Sequence, residues 1–174
     1  HKIAKSYKTW AEKAWKEVEI LNLYDKENSQ DYLRFEDPSE FWADENRKKI
    51  QEKISESTEL VFVFPIWWWD APAIMKNFLD TNFWAGFAFK YLKWGKVQWL
   101  FWDKIAKIYA TCDAPWFFYK FFLLPLNLGW VWWTYRLKFC WIKNVRFTLF
   151  DKMRKRDEAN RLELLSKVKK DWEK

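Results

Sequence analysis

Residues Leu60–Gly86, LVFVFPIWWWDAPAIMKNFLDTNFWAG, decide the fold of this chain. The stretch opens with five β-branched, aliphatic or aromatic residues, 60–64, which predict a strand that is buried on both faces. Pro65 ends the strand, because proline has no backbone N–H to donate. Asp70 is a candidate cap for the helix that follows, and Pro72 lies near its first position.

The aromatic turn between this strand and helix is the first candidate for a ligand site. Apolar residues recur at helical spacing after Ala73, so the stretch is half of a βαβ unit. Ligands of open α/β sheets bind just beyond the carboxyl ends of strands, which is where Trp67, Trp68 and Trp69 lie. The alternative is that these three side chains form only a hydrophobic plug.

The rest of the chain alternates between strand and helix patterns. Strands are predicted at 18–23, 104–110 and 144–150, and helices at 1–15, 46–55, 117–124, 128–139 and 157–172. This alternation predicts a parallel sheet with helices on both faces, which is a three-layer α/β/α architecture. No repeat or low-complexity linker divides the chain, so residues 1–174 are predicted to form a single domain.

Composition excludes several function classes. The net charge of +7 comes from bases that alternate with acids along helical segments, so no nucleic-acid surface is expected. No metal site is predicted, because the chain has one histidine and its two cysteines lack the spacing of metal ligands. The cysteines are Cys112 and Cys140. The longest charge-free apolar run, 121–135, is shorter than the roughly 20 residues of a membrane span.

Tryptophan is abundant and glycine is scarce. The chain has 16 tryptophans and 3 glycines, whereas average usage predicts roughly a dozen glycines. Several tryptophans lie where glycine would be natural: Trp15, Trp94, Trp99, Trp102, Trp116 and Trp141. We hypothesise that some of these tryptophans are encoded by a reassigned stop codon, which the source organism reads as glycine. The alternative is genuine tryptophan enrichment.

Four segments resemble one family. FPIWWW at 64–69, PAIMK at 72–76, Asp80 and GFAF at 86–89 are similar to the NAD(P)H:quinone oxidoreductase family of flavodoxin-like flavoproteins. The resemblance implies a doubly wound parallel sheet. It also implies that the first, central strand and the phosphate-binding loop would precede His1 and are missing from this chain.

The resemblance also implies a flavin site built from two loops. The first loop supplies Pro65, Ile66, Trp67, Trp68 and Trp69, and the second supplies Thr111, Cys112, Asp113 and Ala114. Asp113 departs from the family pattern and would place negative charge near a ring that becomes anionic on reduction. Tyr119 would act as a catalytic hydrogen-bond donor to developing negative charge; the alternative is one more packed aromatic residue.

The implied activity is a cytoplasmic flavin oxidoreductase. With FAD or FMN as cofactor and NAD(P)H as co-substrate, it would reduce quinones or similar acceptors by two-electron, ping-pong hydride transfer. The family's active site lies near a homodimer interface, so a homodimer is expected. The alternative is a non-catalytic interaction module, either an ancillary subunit of a transporter or a truncated fragment without flavin.

Overall fold

A computed structural model of the protein describes residues 2–33, 44–118 and 128–172. The helices are α1 Lys2–Lys13, α2 Glu45–Glu56, α3 Ala73–Asn82, α4 Leu128–Phe139 and α5 Glu158–Trp172. The strands are β1 Glu59–Pro65, β2 Phe89–Tyr91, β3 Val97–Trp99, β4 Ile105–Thr111 and β5 Asn144–Phe150. Most predicted helices and strands are therefore confirmed to within a residue or two.

Among the residues that the structure describes, the main sheet contains three parallel strands in the order β1-β4-β5. Pro65 at the end of β1 pairs with Thr111 at the end of β4, which in turn pairs with Phe150 at the end of β5. The three carboxyl ends therefore lie side by side, and the loops that follow them share one edge of the sheet.

Each face of the sheet carries its own hydrophobic core. Phe62 and Phe64 of β1 pack toward the side of α2, α3 and α4, in a cluster that includes Ile54 and Phe78. Tyr109 and Phe150, with Val61 and Val63, pack on the opposite face against Tyr7 and Ala11 of α1 and Leu164 and Val168 of α5. This arrangement confirms the predicted three-layer α/β/α fold.

The chain runs through α1 in the direction opposite to the strands. Lys16, just beyond the end of α1, pairs with Glu59 at the first residue of β1, with 3.4 Å between Nζ and Oε2. Ile3, near the start of α1, packs in the same cluster as Val63 and Met153, which lie toward and just beyond the carboxyl ends of β1 and β5. The N-terminus of α1 therefore lies at the carboxyl edge of the sheet.

Two predictions for the strands were wrong. Residues 18–22 have no regular secondary structure and Leu23 lies in a turn, because a strand needs a hydrogen-bonded neighbour and the structure places none beside them among the described residues. The second wrong prediction is the absence of any strand between 65 and 104, because β2 and β3 pair there as an antiparallel hairpin. Phe89 and Trp99 face each other in this hairpin, with ring centroids 6.1 Å apart.

Over residues 2–33, 44–118 and 128–172, no helix is long and apolar enough to cross a bilayer. Most of the predicted 117–124 helix, with the catalytic candidate Tyr119, lies outside the described residues.

Candidate functional site

Backbone hydrogen bonds join the two predicted loops at the carboxyl edge. Ile66 N–H donates to the carbonyl oxygen of Thr111 at 2.7 Å, so the β1 loop leaves the sheet directly beside the β4 loop. Cys112 N–H donates to the carbonyl oxygen of Phe150 at 2.9 Å, which attaches the β4 loop to β5 in turn. The structure therefore brings together the two segments in which sequence analysis placed the site.

The first loop is a tight turn that displays indole rings. Trp67 and Asp70 exchange both backbone hydrogen bonds, at 2.8 and 3.0 Å. The two central residues, Trp68 and Trp69, both have positive φ, at 47° and 68°, which is the pattern of a type I′ turn. Trp68 is 94% exposed, and Trp67 and Trp69 are also exposed, so the turn carries a large apolar surface at the rim of the sheet.

The prediction that Asp70 caps α3 was wrong. The N-cap is Pro72, whose carbonyl oxygen accepts from Met75 N–H at 2.9 Å, and no side chain completes the cap. Asp70 instead accepts a hydrogen bond from the backbone N–H of Ala71 at 2.7 Å. Its other carboxylate oxygen lies 4.0 Å from a guanidinium nitrogen of Arg136, so the turn is linked electrostatically to α4.

The charge of Asp113 in the second loop is paired. Arg154 contacts its carboxylate twice: the backbone N–H donates to Oδ1 at 2.9 Å, and the side-chain Nε lies 2.8 Å from Oδ2. The negative charge that Asp113 is expected to bring near a ligand is therefore accompanied by the positive charge of Arg154. An ion pair at this position carries no net charge, although Arg154 is itself 88% exposed.

Asp151, a buried residue that sequence analysis missed, holds the start of segment 115–118 in place. Asp151, immediately after β5, accepts from the backbone N–H of Trp116 and from the Arg156 guanidinium, each at 2.9 Å. Arg156 also donates through Nε to the Asp151 carbonyl oxygen at 2.9 Å. The acid and the base lie five residues apart in a charge-rich segment, so nothing in the sequence pattern separates them from ordinary surface charges.

The remaining predicted site residues have mainly backbone roles. Pro65 and Thr111 are the last residues of their strands, and Ala114 accepts a hydrogen bond from the Cys112 thiol, with 3.3 Å between sulfur and oxygen. Cys112 is buried, so its side chain stabilises the turn and its backbone faces the neighbouring strand end. Tyr119 lies outside the described residues and stays a prediction.

The edge has the features that a flat aromatic ligand needs. Exposed indoles supply faces for stacking, and the second turn lies directly beside them. Among residues 2–33, 44–118 and 128–172 there is no group of three or more histidine, cysteine or acidic side chains that could hold a metal ion. The exposed indoles beside the second turn are the features that fit a planar organic group.

Comparison with known proteins places the chain in a family. A model of the flavodoxin-like fold matches residues 1–174, and no curated protein matches the sequence. The fold is similar to that of a Streptococcus mutans protein, at 25% identity, with 98% of this chain and 91% of that chain covered and a TM-score of 0.75.

Two further solved structures share the fold at lower identity. The NAD(P)H:quinone oxidoreductase of Methanothermobacter marburgensis is 20% identical, with 98% and 88% of the two chains covered and a TM-score of 0.80. An FMN-dependent NADH-azoreductase of Bacillus anthracis, solved with FMN, is 15% identical, with 99% and 88% covered and a TM-score of 0.72. The chain belongs to the flavodoxin-like fold family.

Proposed function

We propose that this protein is a flavin oxidoreductase that uses NAD(P)H to reduce quinones or similar flat acceptors. The observation that carries the proposal is the junction of the two loops at Ile66 and Thr111, which places exposed indoles beside a second backbone turn at one sheet edge. Related folds with the names quinone oxidoreductase and FMN-dependent azoreductase support it.

In this proposal FMN or FAD supplies the hydride chemistry when bound, and the protein supplies position and electrostatics. The indoles of Trp67 and Trp68 offer stacking surface, and the backbone of 65–69 and 111–114 meets the edge of the ring. Arg154 pairs with Asp113 and removes a charge that would oppose a reduced, anionic ring. Asp151 and Arg156 hold the start of the 115–118 segment in place.

The acceptor and the dimer belong to the same proposal. Phe117 and Phe118 are exposed and stack with centroids 4.5 Å apart, so an apolar surface adjoins the β4 loop. Such a surface suits a quinone-like acceptor and a homodimer interface. Tyr119, the next residue, is proposed as the hydrogen-bond donor, and a cytoplasmic location suits NAD(P)H as reductant.

The experiment is a spectrum and a rate measured on the same sample. The chain is incubated with FMN or FAD, desalted, and assayed for NADH and NADPH oxidation with a soluble quinone. Retained flavin absorbance together with quinone-dependent oxidation is the expected result. A colourless protein that oxidises neither nucleotide with either flavin would contradict the proposal.

A second candidate is a non-catalytic interaction module, such as an ancillary transporter subunit. The observation that favours it is segment 18–23, which lines a cavity beside β1 and pairs with no strand among the described residues. A module that binds a partner but no flavin would give the colourless result in the assay above.

A further inference from the structure

Tryptophan holds an unusual share of the left-handed backbone positions. In the part of the chain that the structure describes, six residues other than glycine have positive φ, and five of them are tryptophan. The five are Trp15, Trp68, Trp69, Trp94 and Trp141, at 64°, 47°, 68°, 67° and 67°. This region is uncommon for residues other than glycine, asparagine and aspartate, and for a bulky side chain it is an outlier. Five outliers of one residue type indicate a common cause.

Trp15 lies in the motif that closes α1. Lys16 N–H donates to the Ala11 carbonyl oxygen at 3.1 Å, and Trp15 N–H donates to the Glu12 carbonyl oxygen at 3.0 Å. These two bonds, with a left-handed residue between the helix and Lys16, form a Schellman motif. The left-handed residue of such a motif is usually glycine, because glycine has no Cβ to clash with the backbone.

Trp141 lies in the same motif at the end of α4. Ile142 N–H donates to the Leu137 carbonyl oxygen at 3.2 Å, and Trp141 N–H donates to the Lys138 carbonyl oxygen at 2.9 Å. Leu137 and Ile142 are both fully buried in one hydrophobic cluster, which is the apolar pair that frequently accompanies a Schellman motif. Two helices of unrelated sequence therefore end in one geometry, and both have tryptophan at the position that favours glycine.

Trp94 lies in the loop of the β2–β3 hairpin. Leu92 N–H donates to the Lys96 carbonyl oxygen at 2.7 Å and closes the loop. Trp94 and Gly95, inside it, take successive left-handed conformations, with φ of 67° and 70°. Hairpin loops with two successive positive φ values are dominated by glycine, asparagine and aspartate. Position 94 therefore has the same backbone requirement as positions 15 and 141.

Side-chain packing does not account for these conformations. Trp15 is 98% exposed and Trp94 is 96% exposed, so neither indole gains contacts that would offset the strain. The Trp141 indole stacks on Trp99, with ring centroids 5.3 Å apart and planes at 14°. Its backbone nevertheless has the conformation of Trp15, where no such stacking exists. The feature common to the two positions is the helix-closing motif rather than the indole.

The turn at Trp68 and Trp69 differs from these three positions, because it belongs to the proposed site. Trp67 and Asp70 hold it by exchanging two backbone hydrogen bonds. Strained residues cluster at ligand sites, where the surrounding structure maintains them, and an exposed indole has a use there as a stacking surface. The expectation that tryptophan is retained at 68 and 69 therefore rests on the proposed function, whereas the argument at positions 15, 94 and 141 does not.

We infer that positions 15, 94 and 141 are glycine in the protein as its source organism makes it. One codon read as glycine explains a shared residue type at three unrelated turns, whereas independent substitutions would bring different residues to them. The sequence hypothesis finds conformational support only at these three positions. The other three that it names do not have positive φ: Trp99, Trp102 and Trp116.

The test is peptide mass spectrometry of the protein purified from its source organism. Peptides of the recombinant chain, which carries tryptophan at all three positions, serve as the mass reference. Glycine at 15, 94 and 141, with tryptophan at 68 and 69, is the expected result. Tryptophan at any of the first three positions would overturn the inference.

A thermal melt of recombinant protein measures the strain independently. The triple variant Trp15→Gly, Trp94→Gly and Trp141→Gly should melt about 5 °C above the parent chain, because three left-handed residues lose the clash of their Cβ atoms. The matched control changes Trp102 and Trp116, which are exposed and have no positive φ, to glycine, and it should show no rise. A triple variant that melts no higher than this control would contradict the strain on which the inference rests.

Discussion

The backbone N–H of Ile66 donates a hydrogen bond to the carbonyl oxygen of Thr111 at 2.7 Å. The donor lies one residue beyond β1 and the acceptor is the last paired residue of β4, so the bond continues the ladder to the start of the two loops. Two segments about 45 residues apart in sequence, 65–69 and 111–114, are thereby held side by side. A ligand bound at this edge would contact both.

Truncation of the most exposed indole should weaken flavin binding without affecting the fold. We expect Trp68→Ala to raise the dissociation constant of FMN or FAD about fivefold, because a stacking partner is worth roughly 1 kcal/mol. Its melting temperature should stay close to that of the parent chain, since the side chain is 94% exposed. Fluorescence titration and thermal melts measure the two effects.

The matched control for this change is Trp102→Ala. Trp102 is also exposed, but it precedes β4 and therefore lies at the opposite edge of the sheet. The Trp102→Ala variant should bind flavin with the same affinity as the parent chain. Equal losses of affinity in both variants would mean that the indole at Trp68 has no specific role.

Removal of the Arg154 charge should make the flavin harder to reduce. Arg154→Gln leaves the Asp113 carboxylate uncompensated beside the second loop, and a nearby negative charge disfavours an anionic reduced ring. Folding stability should change by less than about 1 kcal/mol, because Arg154 is largely exposed. Potentiometric titration of the bound flavin should give a lower midpoint potential.

The double variant Arg154→Gln with Asp113→Asn is the control for this effect. It removes both charges and should return the midpoint potential toward the parent value. A potential that stays low after Asp113 is neutralised would show that the arginine acts in some other way.

Glycine at Trp15 should stabilise the fold. Trp15 is 98% exposed and has φ of 64°, so Trp15→Gly removes a strained conformation and loses little packing. We expect a gain of about 1 kcal/mol in the free energy of unfolding, measured with denaturant. Trp102→Gly, at an exposed position without positive φ, should give no gain in the free energy of unfolding. Glycine there only raises the conformational entropy of the unfolded chain.

An ion pair at the amino edge should make stability depend on acid pH. Glu59 and Lys107 are nearly buried, with 2.7 Å between Oε1 and Nζ. Burial favours the neutral acid, but the hydrogen bond and charge of Lys107, together with a hydrogen bond from Tyr7 and the charge of Lys16, outweigh it and hold the pKa of Glu59 below its usual value. The folded state therefore binds fewer protons at Glu59 than the unfolded state, and the stabilisation is lost as pH falls below about 4.3.

Glu59→Gln tests this dependence. The variant leaves the Lys107 charge buried without its partner, so we expect its free energy of unfolding to be about 3 kcal/mol below that of the parent chain at pH 7. This difference should shrink as the pH is lowered, because the parent chain then loses the same stabilisation. Glu17→Gln, at an exposed position nearby, should leave stability unchanged. A loss in Glu59→Gln that is constant from pH 7 to pH 3 would contradict the assignment.

Local sequence pattern was sufficient where local interactions decide the structure. The apolar run at 60–64 predicts β1, and α4 and β5 have the bounds that their patterns indicate. The strand prediction at 18–23 failed because strand formation depends on a neighbour, which no local pattern reports. The β2–β3 hairpin was missed because its two strands have only three residues each.

The site was predictable only in part for a similar reason. Its two loops follow buried strands, and in a parallel sheet their ends meet at one edge. The charge relationships of Asp113, Asp70 and Asp151 depend on Arg154, Arg136 and Arg156, whose directions are fixed by tertiary packing. Sequence therefore gives the location of the site, whereas its electrostatics need the structure.

The most direct test of the central claim is a titration of FMN, and separately of FAD, into the ¹⁵N-labelled chain, followed by amide chemical shifts. If the two loops form one flavin site, the amides of 66–70 and 111–114 shift together and saturate at the same flavin concentration. Shifts confined to one loop, or none in either loop with both flavins, would contradict the claim.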